Sequence, residues 1–208
     1  QFLNVEMNYS KKIAQDAVNN GKLLGWVLMQ NTNVGPDDYN FMWVNAYPTI
    51  EIAANENAWW SHSEKVVGIK PDVLFSDSSK YKYDRSYTYK MQMSIPNTGP
   101  AAYVILNFAT PDDVNAVAAS SKKYVIPHFK KNMSDNGMVG WGMATKITPQ
   151  GQEYSSMMTY DSYDSLKNTM KHLAGEGIIE GLPMDKLTKV TWEMRPIMKV
   201  ISSTTEKE

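Results

Sequence analysis

The 208-residue sequence has no cysteine, which removes disulfides, thiolate metal sites and cysteine nucleophiles together. It leaves the redox compartment undetermined. Arginine is scarce: among 21 basic residues only Arg85 and Arg195 are arginines. Histidine is confined to His62, His128 and His172. None of the three forms an HxxxH or HxH pair, so the pattern gives no support to a multi-histidine metal site, and no metal is expected. A formal charge of -1 and a pI near 6.4 provide no field for nucleic acid or an anionic membrane, and neither is expected as a partner. No apolar run approaches the roughly 20 residues of a membrane-spanning helix. GxGxxG, Walker A, GxSxG, HExxH and EF-hand signatures are missing, which lowers nucleotide-dependent, hydrolase and zinc-protease classes.

What is present describes a chain able to bury a core: 42% hydrophobic residues, 11% aromatic residues and 14 methionines. Its length suits one large domain or two of about 100 residues. The first residue is Gln1, the beginning expected of a processed or trimmed product. Asn8-Tyr9-Ser10 and Asn132-Met133-Ser134 match the glycosylation sequon, a pattern frequent by chance.

The sequence repeats itself. NGKLLGWVLM (20–29) and NGMVGWGM (136–143) align through Gly25-Trp26 and Gly140-Trp141 at an offset of 115, which also places Tyr39 on Tyr154 and Met42 on Met157. In the second copy, residues 103–108 read as a strand. Thr110 is the expected N-cap of a helix carrying Pro111, kinked at Pro127 and ended by Asn136-Gly137. Strands follow at 141–145 and 154–160, then a helix capped by Asp161 or Ser162 through His172, then a strand over 189–198. The first copy gives the same order without its opening strand: helix 4–18, strands 26–30 and 39–45, helix 49–63 and strand 85–95. A loop is expected over 68–84.

The order β-α-β-β-α-β is that of a ferredoxin-like unit, a sheet with both helices on one face. Both alternating residue sets of the strands are apolar or aromatic, as in Val104, Leu106 and Phe108 against Tyr103 and Ile105, so both sheet faces should be covered. The expected fold is α+β: two tandem ferredoxin-like halves, 1–97 and 98–208, packed sheet to sheet as a pseudo-twofold barrel.

On this element order, the repeated Gly-Trp and the aromatic strands, the chain resembles the dimeric α+β barrel superfamily in its tandem two-domain form. That resemblance implies a small-molecule ligand and a range of activities. Cofactor-independent monooxygenases, isomerases, haem proteins of the chlorite dismutase kind and non-catalytic stress proteins all belong to the superfamily. Association into a homodimer is left open by it. Fold alone cannot choose among these functions.

Candidate catalytic residues are His128, which follows the kinking proline, and Arg85, a fixed planar cation suited to a carboxylate or enolate. His62 and His172 read as exposed or capping residues near helix ends, and Arg195 as a strand-surface partner of Glu193. Trp26, Tyr39, Trp43, Tyr89, Trp141, Tyr154 and Trp192 are the candidate ligand-binding aromatics, with the ordinary alternative that they are core. Asn45 and Asn107, polar positions at the ends of apolar strands, could hydrogen-bond a ligand carbonyl. No cofactor is required by these residues; haem needs a single histidine ligand and stays open on that ground.

Overall fold

A computed structural model of the chain describes residues 2–35, 39–55, 59–74, 76, 85–151 and 155–205. Among the described residues seven strands form: β1 Gly25–Asn31, β2 Phe41–Ala46, β3 Thr88–Ile95, β4 Tyr103–Ala109, β5 Met138–Thr148, β6 Met157–Tyr163 and β7 Ile197–Ser203. β1 and β2 pair antiparallel, as do β3 with β5 and β4 with β6. The described α-helices are α1 Phe2–Val5, α2 Lys11–Asn19, α3 Ile50–Ala53, α4 Ser63–Val67, α5 Pro71–Leu74, α6 Val114–Ser120, α7 Ile126–Asn132 and α8 Leu166–Leu173. The class is α+β, as the sequence suggested.

The chain divides into two compact units. One comprises residues 1–30, 38–84 and 200–208, and the other 31–37 and 85–199. In the first unit, α2 presents Ile13, Ala14, Ala17 and Val18 to Leu23, Trp26 and Leu28, all buried, with Phe41 and Trp43 of β2 packed against them. The spacing of those four residues is that of one helical face. Asn20 and Gly21 end the helix, with Gly21 at φ +70°, a region where side chains are strained. The expected helix over 49–63 is instead α3, capped by the Thr49 side chain, and, past residues 56–58, a 3-10 turn over Trp59–His62 with α4 after it.

In the second unit the strand order is β7-β4-β6-β5-β3. The helices cover one sheet face: Val117, Val125, Phe129 and Met133 from α6, α7 and their flanks pack on Ile105, Trp141, Met143, Met157 and Tyr163. Full burial of side chains of this size contributes about 1.5–3 kcal/mol each. β3 pairs with β5, with Ile95 opposite Trp141.

Several sequence expectations change here. Asp113, not Thr110, caps α6, its Oδ1 accepting the Ala116 N–H at 2.9 Å; Thr110 Oγ1 instead accepts the Ser156 N–H. The irregularity expected at Pro127 is a π-turn over Ser121–Val125, and a matching π-turn spans Glu6–Ser10, at the same offset of 115. The second position of α7 is Pro127, whereas the equivalent position in α2 is Lys12, so the π-turn does not depend on proline. β6 runs three residues past Tyr160, which takes Asp161 and Ser162 into the strand, and Ser165 caps α8. β7 begins at Ile197, so Trp192 and Arg195 lie on the segment that leads into it.

β5 begins three residues before the expected strand, so Gly140 as well as Gly142 stands inside it. A Cβ on Gly142 would lie 2.3 Å from Cε1 of the Tyr160 ring, directly across from it on β6. Glycine is needed there for close side-chain approach.

Candidate functional site

Strand register assembles the most concentrated polar chemistry of the second unit. Asn107 of β4 pairs with Thr159 of β6, and Ile105 pairs with Asp161. Alternation therefore sets Asn107, Thr159, Asp161 and Tyr163 on the face that the helices cover. Asn107 and Asp161 are each only 2% exposed, and Tyr163 is fully buried. Burying a carboxyl group is costly unless it is hydrogen-bonded, and the Asn107 amide supplies such a bond to Asp161.

Asn107 stands between two charges. Its Nδ2 donates to Asp161 Oδ2 and, at 3.0 Å, to Thr159 Oγ1, while its Oδ1 accepts from Arg195 Nε at 2.6 Å. A carboxylate only accepts and a guanidinium only donates, so the amide can take one orientation. Arg195 Nη2 donates to His172 Nε2 at 3.2 Å, and His172 Nδ1 lies 2.6 Å from the Tyr163 hydroxyl. The guanidinium also sits 5.8 Å from the Trp192 ring centroid, a cation–π distance. Arg195 is partly exposed, and its remaining N–H groups have no hydrogen-bond partner among the described residues.

The electrostatics follow from burial. Desolvation, with Arg195 adding to it, holds His172 below the usual imidazole range although Asp161 pulls the other way, so the ring is neutral near pH 7. Desolvation and then Asp161 push the Tyr163 phenol far upward. The arrangement is a fixed cation held at three points, with its outer N–H edge available to an anion and an indole face beside it. It can hold a flat oxyanion.

Most sequence candidates lie elsewhere. His128 on α7 is tied down, with Nε2 at 2.8 Å from the Ile178 carbonyl and Nδ1 at 3.4 Å from Asn132 Nδ2. Arg85 precedes β3 and is exposed. Tyr89 of β3 donates to the Ser155 carbonyl at 3.4 Å, and burial, then Tyr87 and Glu193, push its phenol up to about 12. Trp141 is core against Phe129. Trp26, Tyr39 and Trp43 belong to the first unit, where Trp26 is 1% exposed and Trp43 Nε1 donates to Glu6 Oε2 at 2.9 Å. Tyr154 lies outside the described residues. Among the described candidates, Trp192 and Asn107 join the network.

Two expectations are corrected. His172 is buried, not an exposed cap, because α8 turns it toward β6. Arg195 bonds Asn107 and His172, and Glu193 bonds Ser155 instead. Sequence reading missed Asp161, Thr159 and Tyr163; the signal available was the alternation T-x-D-x-Y continuing the strand begun at Met157.

Haem would need a histidine with a ring nitrogen to give. Both nitrogens of His128 and of His172 are engaged, so neither fits an axial ligand, while His62 is exposed on a 3-10 turn. Among the described residues no group of three or more His, Asp or Glu could hold a metal ion, and no helix is long and apolar enough to cross a membrane.

The fold has solved relatives in shape. A candidate monooxygenase from Lactobacillus acidophilus NCFM aligns at a TM-score of 0.59 with 12% identity, over 97% of this chain and 88% of that one. A candidate monooxygenase from Fusobacterium nucleatum aligns at 0.55 with 12% identity, over 97% and 89%. An anthrone oxidase-like protein aligns at 0.50 with 10% identity, over 99% and 89%. At these identities the likeness is one of fold alone, a mixed α+β chain built on an antiparallel sheet. No protein-family model matches the sequence, and no curated protein matches it.

Proposed function

We propose that the protein is a small-molecule-binding α+β barrel protein acting as a cofactor-independent, monooxygenase-like enzyme on a flat, apolar or aromatic substrate. The observation that carries this reading is Arg195: a partly exposed guanidinium anchored by Asn107 and His172 with an indole beside it. The names of the structural neighbours support the same class. Two tandem ferredoxin-like halves, dividing near residue 97, are supported by the order β7-β4-β6-β5 and by the π-turns recurring at an offset of 115.

In this reading the substrate is its own reductant. An acidic C–H beside a carbonyl loses its proton to solvent water, the resulting enolate oxygen lies against Arg195, and the carbanion form passes electrons to oxygen. A C–O bond forms, the peroxide anion takes a proton back from water, and loss of the second C–H proton with hydroxide as water turns the CH2 into a carbonyl: one O2 is consumed and one H2O released per substrate. The protein's part is orientation and stabilisation of the oxyanion.

The test uses 1,8-dihydroxyanthrone as probe, with oxygen uptake and quinone absorbance followed together. The expected result is one O2 per quinone, at a rate well above the spontaneous reaction, and a loss of about 100-fold or more in kcat/KM for Arg195→Met. Substrate binding without oxygen uptake would assign a non-catalytic binding protein instead. Absence of both binding and uptake overturns the reading.

A further inference from the structure

We infer that His172 is a positioning residue, held in the Nδ1–H tautomer between Tyr163 and Arg195, and that it aims the guanidinium only while it carries a single proton. The inference rests on the proposed anion site at Arg195 and adds the device that keeps that site directed.

The direction of each hydrogen bond follows from what each group can do. Arg195 has only donors, so at 3.2 Å from its Nη2 the His172 Nε2 atom must offer a lone pair. A neutral imidazole then carries its one hydrogen on Nδ1, which donates to the Tyr163 oxygen 2.6 Å away. The other tautomer would set two N–H donors against each other. The imidazolium would add a second cation beside the guanidinium. Tyr163 on β6 and His172 on α8 are both buried, so no water replaces either partner cheaply.

The charged and titratable groups facing His172 are Asp161 and Tyr163 from β6 and Arg195 from the segment before β7; Lys171 neighbours it on α8. Asp161 favours a second proton on the ring, but it spends a carboxylate oxygen on Asn107, and Asn107 in turn holds Arg195 Nε. Protonating His172 removes the acceptor for Nη2 and leaves the guanidinium one hydrogen-bond tether, through Nε, beside the Trp192 ring. A cation that can pivot about that bond loses its aim at the substrate oxygen, and small misplacements of this kind cost about 100-fold in rate.

The experiment has two arms. Imidazole 15N–1H correlation spectra of the full chain are recorded from pH 4 to 8, with His172 assigned by loss of its signals in His172→Gln. The expected result is the Nδ1–H tautomer at pH 7, a midpoint below that of an ordinary histidine at about 6.5, and loss of the tautomer preference in Tyr163→Phe. An Nε2–H tautomer or an imidazolium at pH 7 overturns the inference. The second arm follows kcat/KM against pH with the anthrone probe. Wild type should lose activity in acid with the His172 midpoint. His172→Gln, whose Oε1 can still accept from Arg195, should retain activity within about 10-fold at pH 7 and lose that acid limb, while His172→Ala should fall by about 100-fold at every pH. An acid limb unchanged in His172→Gln also overturns it. Absence of oxygen uptake in wild type removes the proposed activity, while the spectra still decide the tautomer.

Discussion

The first unit buries Glu6 and the second buries Asp161, and the two carboxyl groups are handled in opposite ways. Glu6, on the π-turn between α1 and α2, is 6% exposed and accepts one indole N–H, from Trp43. Desolvation outweighs that bond and the help of the Ser10 hydroxyl, so its pKa is raised. Asp161 is buried more deeply, yet it sits in a network in which Asn107 relays it to a guanidinium that is itself held by an imidazole. For Glu6, burial favours the protonated carboxyl and the single indole N–H opposes it without prevailing. A chain of amide, guanidinium and imidazole gives Asp161 a hydrogen-bonded surrounding and leaves a cation edge to spare, which is why the proposed chemistry is placed in the second unit.

The comparison breaks hardest at Asn107. Asn107→Asp removes the donor to Asp161 and sets a second buried carboxylate beside it, and should destabilise the protein by about 3–5 kcal/mol at pH 7. Urea denaturation of the variant across pH measures this; recovery of stability in acid, where one of the two carboxyls takes a proton, is part of the expectation.

A smaller effect comes from exchanging strand residues between the repeats. Val27 of β1 and Gly142 of β5 are separated by the repeat offset of 115. Gly142→Val drives the new side chain into the Tyr160 ring and should cost about 1–3 kcal/mol. Val27→Gly, which loses strand propensity and some packing, should cost about 1 kcal/mol. Denaturant midpoints that place the two variants in the reverse order would show that the Tyr160 ring yields to a side chain at position 142.

The finest distinction is the sign of the pH slope. Glu6 has a folded pKa above its ordinary 4.5, so its contribution is fully present below pH 4.5 and is lost as pH rises through the raised value. His172 has a folded pKa below 6.5, so its contribution is present above pH 6.5 and is lost as pH falls through the lowered value. Glu6→Gln should flatten the first slope and leave the second intact, as read from unfolding free energies at closely spaced pH values.

Sequence alone determined the parts governed by local rules. Alternation and helical spacing gave the α+β class, the helix over 4–18 that contains α2 and the apolar run of β4. The Asn-Gly pairs marked helix ends because glycine takes a positive φ without strain, as Gly21 and Gly137 do. The offset of 115 was legible in the letters, and the paired π-turns carry it in the backbone. Arg195 and His172 were visible as rare residues, but their role was not: read along the chain, Arg195 neighbours Glu193 and His172 neighbours Lys171. Only tertiary structure brings Asn107, Asp161, Tyr163, His172 and Arg195 together, across sequence separations as large as 88 residues. Pairing register and helix packing decide which polar side chains meet away from water, and a hydrogen bond's direction has meaning only once both partners are in place.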